Sequence, residues 1–298
     1  MTMNLLQTTR RAVPFTTKLF FGLALFVGLI MVLGVYRGSL ATWWLLCVGL
    51  VIGSMLYRMV ARSRVQQVRF EDAWREVLVA KVPFYQQLDE IGRVAFEQRV
   101  THFFETIKIT AVDFELDDEC RVLVAASSIV PFWDLPQWQY GELQEVIVYS
   151  SHFDENYQVG SDHHILGMVG SGGNMDHVML LSKPALYQGF DNKTNKHHVG
   201  FHEFAHLLDK SDGDVDGIPE LFLPKEMVNP WTKLVHREIQ RIRDNQSDVD
   251  PYGATNDAEF FAVISEYYHK RPQLLEKKHP DLYKMLQMIY HPAKVEVL

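Results

Sequence analysis

Cysteine is almost absent from this chain: there are two, Cys47 and Cys120, in 298 residues. Cys47 falls inside an apolar run and Cys120 well beyond it, so no disulfide framework is readable and a reducing compartment is compatible. Excess positive charge is missing too. Lys and Arg total 29 against 37 Asp and Glu, a formal net charge of -8, which argues against nucleic acid as a partner. A phosphate-binding loop is also lacking. The glycine-rich stretch 160–174, with Gly167, Gly170, Gly172 and Gly173, has no Lys-Ser/Thr after it and opens no evident helix, so it reads as a flexible surface loop. No internal repeat or low-complexity tract appears.

What the chain does have, at its start, is uncharged length. Leu19 to Tyr36 is a run of 18 residues and Gly38 to Tyr57 a run of 20, separated only by Arg37. As a helix the shorter run covers roughly 27 Å, close to the hydrocarbon thickness of a bilayer. The pair predicts a two-helix transmembrane hairpin over 19–60. Arg10, Arg11 and Lys18 precede it, and Arg58, Arg62, Arg64 and Arg69 follow. Basic flanks are retained on the cytoplasmic side, so residues 1–18 and everything after the hairpin are expected in the cytoplasm, in a multi-pass protein of the inner membrane. A cleaved signal peptide is the competing reading of the first run, though signal peptides have shorter apolar cores. A buried helical pair of a soluble domain would show a polar face, and neither run has one.

Beyond the runs, residues 61–106 carry Phe70, Trp74, Leu78, Leu88, Phe96 and Phe103 at spacings near three and four. That region reads as amphipathic helices broken at Pro83. From 107 to 298 the pattern is mixed. Segments 107–116 and 121–130 are β-prone or mixed, and 144–149 and 177–181 read as strands. Helices are expected from Asn195 onward, in the motif segment and around 226–245, 257–270 and 280–290. The fold class this predicts is α+β, with a small mixed sheet.

Chemistry concentrates in Phe201-His202-Glu203-Phe204-Ala205-His206-Leu207-Leu208-Asp209, an HExxH pattern in a helix-compatible setting. Positions i and i+4 share a helix face, so His202 and His206 can turn ring nitrogens to one metal ion. Glu203 then lies beside the metal, free to move a proton as general base. A catalytic zinc needs a third protein ligand and one open position. The acids of Asp257-Ala258-Glu259-Phe260-Phe261-Ala262-Val263-Ile264-Ser265-Glu266-Tyr267 supply it. Glu259 is the best candidate; Glu266, seven residues on, nearly shares its face and could also reach the metal, though a solvent-facing or supporting role suits it better.

Together with Asp216-Gly217-Ile218-Pro219 and Tyr252-Gly253-Ala254-Thr255-Asn256, these segments resemble the Mlc titration factor A family of zinc peptidases. The catalytic fold of that family is similar to the protease domain of anthrax lethal factor. Weaker similarity runs back through Glu145-Val146-Ile147-Val148-Tyr149 and Arg121-Val122-Leu123-Val124-Ala125-Ala126, covering roughly residues 85 to 290. The resemblance implies a zincin-like catalytic domain over 107–298, with Zn2+ held by His202, His206 and Glu259 and with Glu203 as general base. It implies that the Tyr252 hydroxyl stabilises the oxyanion, the alternative being a structural tyrosine in the turn after Pro251. Asp209 would orient a ligating histidine or cap the motif helix. The stretch 154–195 and the apolar runs depart from the family's pattern.

The expectation is therefore a membrane-anchored zinc metallopeptidase acting on a peptide or protein substrate. From a different class, the alternative is a membrane-tethered binding protein that sequesters a cytoplasmic transcriptional regulator. Intramembrane proteolysis fits poorly, because His202 lies far past the second run in polar surroundings.

Overall fold

The computed structural model describes residues 68–135, 138–152, 166–169 and 177–292, together with Gly49, Gly53 and Ser54. The chain divides into two compact units, 1–66 and 67–298, and every element below belongs to the second. Among the described residues no helix is long and apolar enough to cross a membrane. That corrects the expectation of a multi-pass inner-membrane protein with its catalytic domain in the cytoplasm. Apart from Gly49, Gly53 and Ser54, the two apolar runs lie outside the described residues. Freedom from charge is only the first condition for a span, which also needs one continuous helix of sufficient length.

Three helices open the second unit: α1 (Asp72–Lys81), α2 (Pro83–Gln87) and α3 (Glu90–Thr106). Pro83 stands in the first turn of α2, where a missing N–H is harmless, and this is the expected break. Asp89 caps α3 by accepting from Gly92 N at 2.7 Å. The sheet is built from β1 (Lys108–Val112), β2 (Glu145–Tyr149), β3 (Gly167–Val169) and β4 (Val178–Ser182), in the order β1-β2-β4-β3. β1, β2 and β4 are parallel, with Ile109 opposite Val146 and Ile147 opposite Leu180, whereas β3 runs antiparallel along β4 with Met168 opposite Leu180. The sheet is small and mixed, as expected. Val146 and Val148 point into the main core, and Ile147 points to the other face, where it packs with Leu180, Val112 and Met168.

Between β1 and β2 runs α4 (Asp118–Ile129), a helix where 121–130 reads from sequence as β-prone or mixed. Asp117 accepts from Cys120 N at 2.7 Å and starts a helix in which every residue from Cys120 to Ile129 except Arg121 is buried. A fully buried helix is apolar all round, so its valine-rich run shows no helical period to a reader of sequence. The buried hydroxyls of Ser127 and Ser128 donate back to Leu123 O and Ala125 O.

β4 passes directly into α5 (Lys183–Asp191), followed by the motif helix α6 (Val199–Asp209) and then α7 (Lys225–Arg243), α8 (Asp257–Lys270), α9 (Pro272–Lys278) and α10 (Pro280–Tyr290). The helices expected at 257–270 and 280–290 have those bounds; α5, α9 and β3 went unread. One continuous core joins Leu78 of α1, Phe96 of α3, Val124 of α4, Phe204 of α6, Trp231 of α7 and Phe260 of α8. α6 lies so close to α4 that a Cβ on Gly200 would come within 2.5 Å of Ser127 Cβ. Only glycine allows that approach.

A polar cluster ties the approach to α6 to the start of α10. Asp248 accepts from Lys196 Nζ at 2.6 Å, from Lys278 Nζ at 2.9 Å and from Tyr267 Oη at 3.0 Å. His279, almost wholly buried, bridges Asp248 at 2.8 Å and Glu238 at 3.3 Å. Burial works against its charged form, but the two carboxylates outweigh burial and hold His279 above its ordinary value. Burial likewise opposes the Asp248 carboxylate, and Lys196, Lys278, His279 and Tyr267 together pull it well below the usual range. The raised His279 contributes fully below about pH 6.5 and loses its contribution as pH climbs through the folded value. The lowered Asp248 contributes above about pH 4 and loses its contribution as pH falls. Stability from this cluster should therefore peak between those limits. His279→Gln should cost about 1.5–3 kcal/mol at pH 5.5 and flatten the decline of the thermal midpoint toward pH 8.

Candidate metal centre

α6 is an almost entirely buried helix, and its polar residues therefore need partners. His202 is 9% exposed and Glu203 is 4% exposed. His202 and His206, one turn apart, bring their Nε2 atoms to 3.2 Å with the rings nearly perpendicular. From α8, Glu259 sets Oε2 at 3.0 Å from His202 Nε2 and 3.5 Å from His206 Nε2. Asn256 fixes the start of that helix by accepting from Glu259 N at 2.8 Å. One ligand atom from each of His202, His206 and Glu259 lies within 4.8 Å of the others, so the three could hold a metal ion.

Glu266, seven residues along α8 from Glu259, faces the other side of the same imidazole. His202 Nδ1 lies 2.8 Å from its Oε1, and the His198 backbone N–H donates to its Oε2. With the proton on Nδ1 directed to Glu266, the His202 Nε2 lone pair points at a carboxylate oxygen and at a second imidazole nitrogen. Acceptors facing acceptors in a buried place call for a cation. The protonation of His202 tells the same story. Burial opposes charge there, yet Glu259 and Glu266 raise the imidazole well above its ordinary value, so the site favours positive charge. Two imidazoles and one carboxylate are a donor set suited to a divalent metal with a position left open.

Glu203 is placed differently. Its carboxylate packs against β3, where a Cβ on Gly167 would overlap Glu203 Oε1 and come within 2.7 Å of Val199 Cγ2. Burial raises its proton affinity, and the charges of His202 and His206 offset part of that rise. Tyr252 stands in a short 3-10 turn, Pro251–Ala254, which Asp250 caps by accepting from Tyr252 N at 2.8 Å. Its ring lies 5.9 Å from that of His202 and it remains 54% exposed. Burial and then the charges of Glu259 and Glu203 raise the phenol, which keeps it a hydrogen-bond donor at neutral pH.

Of the residues singled out from sequence, the structure brings together His202, Glu203, His206, Tyr252, Glu259 and Glu266. Asp209 behaves otherwise. It is fully buried, accepts from Gly217 N at 2.8 Å, and so fastens the loop after α6 to the helix. Burial, with Asp216 nearby, pushes it up to about 7. Among the described residues it has no hydrogen bond to His206. His198 was not read from sequence at all. It caps α6 by accepting from Phe201 N at 3.3 Å, stacks on the Phe201 ring at 3.6 Å, and is kept neutral by burial. Histidine is not a usual capping residue, so nothing in its type announces the role.

A buried helix with two imidazoles one turn apart, a non-ligating glutamate between them and a carboxylate from a later helix defines the HExxH metallopeptidases as a class. The chain belongs to the glucose-regulated metallo-peptidase M90 family, whose sequence profile matches residues 57–291. It is 30% identical to an uncharacterised protein of Synechocystis sp. over 228 residues, covering 73% of this chain and 82% of the relative. It is 33% identical to Mlc titration factor A of Pectobacterium atrosepticum over 159 residues, 49% of this chain and 58% of that protein. With Mlc titration factor A of Escherichia coli it shares 28% identity over 240 residues, 76% of this chain and 88% of the relative.

Partners that orient metal-binding histidines are worth about 10- to 100-fold in metal affinity. Glu266→Ala should weaken divalent-metal binding by that factor in a chelator competition. It should also lower the thermal midpoint, because the His198 N–H loses its acceptor.

Proposed function

We propose that this protein hydrolyses peptide bonds with a zinc ion held by His202, His206 and Glu259. One observation carries the reading: a carboxylate, Glu203, is buried beside the three converging ligand atoms without joining them. A metal serving structure alone has no use for such a neighbour. Bound in that triangle, zinc would supply Lewis acidity, polarising the scissile carbonyl and lowering the pKa of water in the open position.

The chain's own residues do the rest. Glu203 takes the proton of the attacking water and returns it to the leaving amine, a transfer worth about 10²–10⁴ in rate. The wall at Gly167 holds that carboxylate in one place and keeps bulk water from it. Tyr252 offers its hydroxyl to the carbonyl oxygen as charge develops there, and its exposed position lets it swing with the substrate. Glu266 keeps the His202 ring turned so that Nε2 faces the metal.

A second reading follows from the name of the curated relatives, Mlc titration factor A, which points to the binding of a regulator protein. On that reading this chain sequesters a transcriptional regulator, and the metal site serves structure or control. The two readings part at Glu203→Gln.

That variant should bind zinc at one ion per chain and lose at least about 100-fold in peptide turnover. Turnover undiminished in the variant sinks the hydrolytic reading, while capture of an intact regulator by both forms supports the second. Chelation should abolish turnover and added zinc restore it. Gly167→Ala tests the wall, since the new methyl must displace the Glu203 carboxylate: kcat should fall about 10-fold or more while zinc content holds. Unchanged kcat with altered zinc binding would contradict that placement.

A further inference from the structure

Two cavities meet at the metal centre. One, of about 530 Å³, lies toward α5 and α8; the other, of about 760 Å³, lies toward the loop after α6 and the start of α8. They share Gly167, His202, Glu203 and Tyr252, the groups that surround the reacting bond in the reading above. A peptide lying across the centre therefore has a cavity on either side of its scissile bond.

Both have mixed walls, and what differs is where the charged groups stand. The larger cavity is edged by Lys210, Asp216, Asp257 and Glu259, with Met168 and Val215 beside them. The smaller has Leu166, Ala185, Val199 and Val263 in its wall, from β3's approach, α5, α6 and α8, together with the neutral amides of Gln188 and Asn195 and the ring of His197. Its acidic groups other than Glu203 already have partners. Glu266 faces His202 Nδ1 through one oxygen and accepts from His198 N through the other. Asp250 accepts from Tyr252 N and lies 3.4 Å from His197 Nε2. A charged substrate side chain entering here would lose water and find its potential counter-ions engaged, whereas an apolar one would exchange water for four aliphatic walls.

We infer that this smaller cavity is the subsite for an apolar side chain, leucine to phenylalanine in size, on one side of the scissile bond, with Ala185 and Val263 setting its depth. The inference rests on the hydrolytic reading of the same centre. The test uses the full, zinc-loaded chain and internally quenched peptides in which the residue on each side of the scissile bond is varied in turn among Ala, Leu, Phe, Trp, Lys and Asp. At one of the two positions, kcat/KM for Leu or Phe should exceed that for Ala by about 10- to 100-fold and that for Asp or Lys by more. Ala185→Leu, which narrows the cavity at its α5 wall, should bring the Leu-to-Ala ratio down to within about threefold of one. Val263→Ala, which deepens the cavity without crowding it, should move the preference from Leu toward Phe and Trp. Thermal midpoints and zinc content establish that both variants are folded.

A preference for Asp or Lys at both positions, a flat profile, or ratios unmoved in both folded variants overturns the subsite while leaving hydrolysis standing. Failure of the zinc-loaded protein to cleave any peptide of the set removes the hydrolytic reading, and the subsite with it.

Discussion

One imidazole gripped from both sides by one helix is the constraint on which the rest of the structure depends. Glu259 and Glu266 sit two turns apart on α8 and face the two nitrogens of His202 on α6. For both contacts to form, α6 and α8 must run alongside each other at side-chain distance and in one register. Several otherwise separate features serve that register. Gly200 admits α4 against the back of α6, Asn256 fixes where α8 begins, and His198 starts α6 at the residue whose N–H Glu266 also holds. A slip of either helix by one residue would turn a carboxylate into the apolar core without a partner, at a cost of several kcal/mol.

The site was more legible than the framework around it, for a physical reason. Metal chemistry demands particular residue types at helical spacing, so His202, Glu203 and His206 announce themselves, and a later acid is required to complete the set. Sequence favoured Glu259 over Glu266 as the third ligand but kept both within reach, because spacing alone cannot say which of two acids on one face meets Nε2 of His202 and which meets its Nδ1. The framework failed where burial erased periodicity. Arg121 to Val130 read as β-prone or mixed because α4 is buried all round, and a three-residue strand inside a glycine-rich stretch carries too little pattern to be seen. The amphipathic helix α10 and strand β2, with alternate residues in the core, were readable from their periods.

That unread strand has the most to do with the chemistry. β3 is the antiparallel edge of the sheet, and Gly167 lets it pass directly over Glu203. The glycine that looked like a mark of flexibility is a mark of close approach. The sheet thus acts on the site through one missing side chain, and that glycine lines both of the cavities that meet there.

The charges at the centre do not balance by themselves. Glu203, Glu259 and Glu266 bring three carboxyl groups into a small buried volume shared with two imidazoles. With both rings neutral, as metal ligation requires, the ionised acids would leave three negative charges almost dry, a state costing several kcal/mol per uncompensated ion. Two things can relieve that charge: protons on His202 and Glu203, or a divalent cation among the ligand atoms. The raised proton affinities of His202 and Glu203 are the mark of the first. Entry of a metal must release protons from this cluster, so metal binding, protonation and stability are one linked equilibrium.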